Sequence, residues 1–260
     1  MLVKMIVKKI LKAKLIKDPI DHFVIDNFLQ KNLAKKLSLE FGDYNSGHWH
    51  CYSNKIEEKK TCNQWNFFRP NTYKFFISIL SHEVDEAISK KFKINVKSDY
   101  GLHGGGQHIH GKLGNLNPHL DYSLHPKINL ERRINVIYYL TDDYTSKDGG
   151  HLGFWDNKNF KRPGMLKKEY EPKFNRLIVF NTSQNSWHGL SRIYNPIKNN
   201  KYRKSLASYY VSTPQRFLRK NNRALYAPRE NEINNNKILK LIKLRSSKKN
   251  YYKAYKVKNI

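Results

Sequence analysis

The chain has 260 residues, with 49 Lys and Arg against 21 Asp and Glu, for a net charge of +28. That length supports one sizeable core; two cysteines do not make a disulfide framework and point to a reducing, cytoplasmic setting, and no apolar run reaches the roughly 20 residues that span a bilayer. The charge suits nucleic acid, an anionic membrane surface or acidic small molecules. Its lysines, however, are spread along the chain outside the tail from Lys237 to Lys258, so a solvated basic surface is expected and nucleic acid is not.

In chain order, lysines interrupt every apolar stretch from Met1 to Ile16 and no small-residue cleavage site follows. This excludes a signal peptide and leaves a basic amphipathic segment, with membrane-surface contact open to it. Gln30 to Phe41 reads as a helix. Asn71 to Phe92 reads as one longer amphipathic helix with Phe75, Ile79 and Leu80 on one side. Between them, His48 to Trp65 is aromatic and polar and is assigned to loops. His48, His50, Cys51 and Cys62 lack the paired spacing of a zinc site. Leu102 to Gly111 holds three consecutive glycines that permit a tight turn or close approach to a ligand, but no Gly-Lys-Ser/Thr follows, so a phosphate loop is excluded. His108 and His110 stand between two readings, residues of a substrate mouth or surface histidines.

The stretch that carries chemistry is Pro118-His119-Leu120-Asp121-Tyr122. Strand side chains alternate, so His119 and Asp121 project from one face. A third ligand from a distant strand would complete two histidines and one carboxylate on one side of a metal, the arrangement of non-haem Fe(II) oxygenases. Downstream come a buried strand from Arg133 to Leu140, a tight turn at Asp148-Gly149-Gly150 into a short strand ending near Trp155, and a strand from Asn175 to Asn181. Ser186-Trp187-His188-Gly189 follows, and then a strand from Arg203 to Val211.

This series, from Asp99 to Val211, resembles the catalytic core of the Fe(II)/2-oxoglutarate-dependent dioxygenases, in the prolyl-4-hydroxylase-like branch. Asp21 to Leu29 is similar to that branch's entry strand and helix. The resemblance implies a mainly β fold with flanking helices around a double-stranded β-helix, or jelly roll. It implies Fe(II) on His119, Asp121 and His188, and the distal carboxylate of 2-oxoglutarate on Arg203 with Tyr138 assisting. Lys204 is the competing cation, but alternation points it to the opposite face. The implied reaction uses O2 and converts 2-oxoglutarate to succinate and CO2 while hydroxylating an unactivated C–H. The substrate would be a peptidyl, prolyl-like group or a small molecule, sugar-nucleotides included.

Three regions follow: a basic N-terminal segment 1–20, a dioxygenase domain 21–213, and a basic helical extension 214–260, with a helix from Ile233 to Leu244, packing on the same domain. Two alternatives come from other classes. One is an AlkB-type oxidative nucleic-acid demethylase, from which the chain departs by carrying Tyr209 where a second arginine would follow Arg203. The other is a non-catalytic jelly-roll binding module, against which the intact His119, Asp121, His188 and Arg203 argue.

Overall fold

The computed structural model describes residues 1–156, 162–182, 185–198, 200–215 and 223–255. In chain order the elements are α1 (Leu2–Lys12), β1 (His22–Ile25), α2 (Lys31–Leu39), β2 (His50–Asn54), β3 (Glu57–Cys62), α3 (Pro70–Ile79) and α4 (His82–Phe92). Then come β4 (Lys97–Ser98), β5 (Gly106–His110), β6 (Asn115–Leu116), β7 (His119–Leu120), β8 (Glu131–Tyr139), β9 (Leu152–Trp155) and β10 (Leu166–Tyr170). The chain closes with β11 (Arg176–Asn181), β12 (His188–Leu190), β13 (Arg203–Ser212), β14 (Leu225–Tyr226) and α5 (Asn236–Arg245).

Among the described residues the strands form two antiparallel sheets. The larger runs β1-β11-β8-β13-β5-β3-β2, with β4 on β13 and β6 on β3. The smaller runs β10-β9-β12-β7-β14. This is the expected double-stranded β-helix, and the period of two explains how it is filled. On the large sheet, Ile134, Val136, Tyr138, Leu177, Val179, Leu206 and Tyr210 face outward onto the helices, meeting Phe75, Phe76, Ile79, Val84 and Ile88. Their neighbours Tyr139, Ile178 and Phe180 face inward and pack with Leu152 and Phe154 of the small sheet.

The helix expected from Asn71 to Phe92 is two helices. Ser81 has extended backbone, φ −71° and ψ 156°, and takes the N-cap position of α4, which suits serine. Each half keeps its apolar face on the sheet, and Phe75, Ile79 and Leu80 are all buried as expected. Glu40, just beyond α2, accepts from the Asn71 and Thr72 amides at 3.0 and 2.6 Å, capping α3 from a neighbouring element. The N-terminal segment is part of this layer, since α1 buries Ile6 and Ile10 in the same core.

Two regions differ from expectation. The stretch assigned to loops contains the β2–β3 hairpin, and β3 continues the large sheet through pairing of Lys60 with Ile109 and Thr61 with His108. Of the expected extension 214–260, residues 216–222 and 256–260 lie outside the described residues. The rest folds onto the hairpin: Ala224, Tyr226, Ile238, Leu241 and Ala254 form a small core with Ile56.

Candidate active site

Between the sheets lies a cavity of about 620 Å³. Its floor is the inward face of the large sheet, where alternation presents Asn135 and Ile137 of β8, Arg203, Ser205, Ala207 and Tyr209 of β13, and His108 and His110 of β5. Both histidines left open by the sequence therefore line the chamber.

The small sheet supplies His119 and His188. β7 and β12 are adjacent, and His188 lies directly opposite His119 in the ladder, ring centroids 4.4 Å apart. Asp121 follows β7 just beyond its last residue, and its carboxylate still turns to the same point. Its Oδ1 is 3.9 Å from His119 Nε2 and its Oδ2 3.7 Å from His188 Nε2. The three donor atoms lie within 4.8 Å of one another. Among the described residues this is the one such gathering of three His, Cys, Asp or Glu; His48, His50, Cys51 and Cys62 do not form another.

The hydrogen bonds around these side chains define which atoms are free. His119 Nδ1 donates to the Asn117 carbonyl at 3.0 Å, and His188 Nδ1 to the Ser186 carbonyl at 2.8 Å. A carbonyl can only accept, so the proton sits on Nδ1 and the Nε2 lone pair faces the common point, as in metal-ligating imidazoles. Asp121 Oδ2 is buried with no hydrogen-bond partner. Burial, reinforced by the charge of His188, lowers the His119 pKa to about 3. Burial also lowers that of His188. For Asp121, burial pushes upward, but His188, Arg132 and His119 together outweigh it and hold the carboxyl below its ordinary value. Neutral imidazoles, an ionised carboxylate and an unsatisfied buried oxygen fit a divalent cation of the Fe(II) type.

Arg132, at 1% exposure, braces this centre, a role the sequence did not reveal. Its guanidinium lies between the rings of Tyr122 and Tyr209, 3.8 and 3.5 Å from their centroids, and its Nη1 is 4.0 Å from Asp121 Oδ1. It also bonds the Tyr122 hydroxyl and the His103 carbonyl.

Arg203 is 3% exposed. Its Nε donates to the Gly150 carbonyl at 2.8 Å, and Nη2 lies 3.3 Å from the Tyr139 hydroxyl. Among the described residues no carboxylate lies within 4.0 Å of it. Gly150 has φ +70°, and a Cβ there would stand 2.8 Å from Arg203 Cδ, so glycine is required both by the turn and by the arginine. Lys204 points the other way, to the Ser38 carbonyl at 3.1 Å.

Tyr138 is not brought to the site. Its hydroxyl donates to Asn175 Oδ1 at 2.7 Å, and its ring packs on Phe28 and Phe75 in the outer core. Because side chains on β8 alternate, the tyrosine beside Arg203 is the next residue, Tyr139.

Comparisons with known proteins agree with this geometry. The model of the 2OG-Fe(II) oxygenase superfamily matches residues 106–211. Prolyl 3-hydroxylase OGFOD1 of Xenopus laevis is 29% identical over 79 residues, which is 30% of this chain and only 15% of that protein's length. Among solved structures, a Pseudomonas putida prolyl-4-hydroxylase superposes with a TM-score of 0.54 at 15% identity, covering 81% of this chain and 98% of that one. A Phytophthora capsici prolyl 4-hydroxylase gives 0.55 at 17% identity over 97% and 82% of the two chains. The Trichoplax adhaerens prolyl hydroxylase, solved with a hypoxia inducible factor peptide, gives 0.51 at 19% identity over 81% and 89%. Residues 106–211 thus match the 2OG-Fe(II) oxygenase superfamily, a family whose cofactors are Fe(II), 2-oxoglutarate and O2, and the chain shares the double-stranded β-helix of the prolyl hydroxylases.

Proposed function

We propose that this chain is an Fe(II)/2-oxoglutarate-dependent hydroxylase in which His119, Asp121 and His188 hold the iron and Arg203, assisted by Tyr139, holds the distal carboxylate of 2-oxoglutarate. The observation that carries the reading is the pairing of a buried cation, Arg203, that has no carboxylate partner among the described residues with a three-donor centre in the same chamber. Taking a guanidinium out of water without a counter-ion is costly, and its planar fork matches a carboxylate. When bound, the iron supplies the redox chemistry that couples O2 to oxidation of a C–H, one oxygen atom going to the product hydroxyl and the other to succinate as CO2 leaves.

The chain's own residues then have defined tasks. The Asn117 and Ser186 carbonyls fix the tautomers of the two histidines. Arg132 orients Asp121 through its contact and its clamp between two tyrosines. The apolar wall of Ile137, Leu152 and Leu190 borders the chamber and excludes water from the reacting centre. The substrate is a peptidyl, prolyl-like group or a small molecule. Peptide chemistry is supported by the prolyl hydroxylase likeness of the fold, small-molecule chemistry by the size of the chamber. A nucleic-acid demethylase is disfavoured by Tyr209, whose ring occupies the expected place of a second arginine and packs on Arg132. Cys51 and Cys62 are both free thiols, which supports placement in the cytoplasm, and among the described residues no helix is long and apolar enough to cross a membrane.

The deciding experiment measures succinate formed from 2-oxoglutarate under Fe(II) and air over pools of peptides and metabolites, alongside calorimetric binding of Fe(II) and 2-oxoglutarate. Binding of both, with substrate-stimulated succinate, is expected. Failure to bind either one would remove the proposal.

A further inference from the structure

The chamber extends beyond the residues assigned to iron and 2-oxoglutarate. Its far half is built by β3 and by the C-terminal segment, elements to which the reading above gives no task. Alternation on β3 turns Glu57, Lys59 and Thr61 into the chamber. Lys60 faces away, its ammonium 3.8 Å over the Tyr44 ring. Across from β3 the C-terminal segment contributes Arg223, Tyr226, Arg245, Tyr251 and Tyr255.

The charges of this half do not balance. Glu57 is its only carboxylate among the described lining residues, and it is shared. Arg245 Nε lies 2.9 Å from Oε2, the Tyr255 hydroxyl donates to Oε2 at 2.7 Å, and Lys59 Nζ is 3.4 Å from Oε1. One carboxylate between two cations leaves a positive charge over. Arg223 adds another: its guanidinium lies 3.4 Å over the Tyr251 ring, with no carboxylate of the described residues within 4.0 Å. Lys59 shares the inward face of the sheet with residues that border the metal centre. Arg203 pairs with His110, and Ile109 pairs with Lys60, so by antiparallel count Lys59 stands in line with His110 and Arg203 across three strands. Two strand spacings, about 10 Å, separate the β13 and β3 positions.

We propose that this half of the chamber is a subsite for the acidic group of the substrate. The substrate is then a small phosphorylated or carboxylated molecule, its acid group held by Lys59 and Arg223 and its body lying against Tyr52 and Tyr251. This names the substrate class of the hydroxylase site and rests on that reading. A cavity of about 620 Å³ that must also hold 2-oxoglutarate has the scale of small-molecule sites. Tyrosine faces serve a ring or sugar, and the excess of positive charge over carboxylate favours an anion.

The test is calorimetric titration, under anaerobic conditions, of phenyl phosphate, benzoate and benzyl alcohol into protein loaded with Fe(II) and 2-oxoglutarate. It is repeated on Lys59→Met, Arg223→Met and Lys59→Arg, with 2-oxoglutarate binding measured on each. At least one anion should bind about tenfold tighter than the neutral alcohol, and each Met variant should lose about tenfold, as expected when one charge-assisted contact goes. Lys59→Arg should keep most of the affinity, and 2-oxoglutarate binding should be unchanged throughout. The tighter of phenyl phosphate and benzoate identifies the acid group. No preference for an anion over the alcohol, or anion binding indifferent to both Met variants, would overturn the subsite while leaving the hydroxylase reading intact. Wild-type protein that binds neither Fe(II) nor 2-oxoglutarate would overturn both.

Discussion

Arg203 and Tyr139 meet on the inner face of the large sheet, the guanidinium Nη2 3.3 Å from the phenol oxygen and the Gly150 carbonyl occupying Nε. Nη1 lies 3.5 Å from His110 Nδ1, and with no carboxylate of the described residues within 4.0 Å the guanidinium charge is left for an incoming carboxylate. Arg203→Ala should weaken 2-oxoglutarate binding by about 1.5–3 kcal/mol, the worth of a hydrogen bond to a charged group, with Fe(II) binding little changed. Tyr139→Phe should weaken it less. Tyr138→Phe should leave it alone and instead cost about 1 kcal/mol of stability, because its hydroxyl serves Asn175 in the outer core. Lys204→Ala should not affect the cosubstrate, and calorimetry on the four variants separates these outcomes.

His119→Ala, Asp121→Ala and His188→Ala should each abolish tight Fe(II) binding, since two donors cannot hold the cation that three are arranged to share. Equilibrium dialysis of Fe(II) under anaerobic conditions measures this. A His188 variant with wild-type iron content would displace it from the centre.

Glu57 and Arg245 form a buried pair between β3 and α5, and Tyr255 joins the same carboxylate. Burial pushes the Glu57 carboxyl up, but Arg245 and Lys59 outweigh it and hold it far below the ordinary range. Glu57→Gln leaves Arg245 buried without a counter-charge, a change that typically costs about 3–5 kcal/mol. Urea unfolding should show that loss, and limited proteolysis should cut earliest in the C-terminal segment.

Acid should destabilise the fold before its carboxylates protonate. Burial, aided by the charge of Arg132, lowers the His103 pKa to about 4; burial, aided by Lys59, lowers that of His108 to about 3. In the unfolded chain both take up a proton near 6.5. Below that pH the unfolded state binds more protons, so stability must fall as pH drops from about 6.5 towards 4 for His103 and towards 3 for His108. Thermal midpoints at pH 7.5, 6 and 5 should decline, and His108→Asn should flatten the decline.

Nucleic-acid binding should be weak, indifferent to sequence and lost near physiological salt, because scattered lysines supply only counterion release. A filter-binding series in rising salt checks this. Salt-resistant binding with turnover on an alkylated base would restore the demethylase alternative.

The long strands that frame the candidate site were legible because their signals are local. β8, β11 and β13 are β-branched and aromatic runs buried on both faces, and His-x-Asp, Gly-Gly and the lone His188 follow in order along the chain. The hairpin β2–β3 was not legible, for its sequence, His-Cys-Tyr-Ser-Asn and Glu-Glu-Lys-Lys-Thr-Cys, lacks an apolar face. Its inward side lines a polar chamber, so the usual alternation never forms.

By itself, then, the sequence determined that β8, β11 and β13 would be strands and that His119 and Asp121 would face one way, since alternation needs only neighbours in the chain. The double-stranded β-helix, His188 as third donor and Arg203 as the facing cation were implied by the resemblance of the motif order to a known family. Of the two consecutive tyrosines the resemblance pointed to Tyr138, whereas Tyr139 is the one that faces inward beside Arg203. That was decided by register, Ser205 standing opposite Tyr139 and Leu206 opposite Tyr138. Tertiary structure alone placed His188 across from His119, slid Arg132 between Tyr122 and Tyr209, and closed the chamber with a C-terminal segment whose Arg245 reaches Glu57 across 188 residues. Such contacts join elements distant in sequence, and no local periodicity encodes which partner a buried charge will find once the sheets have closed.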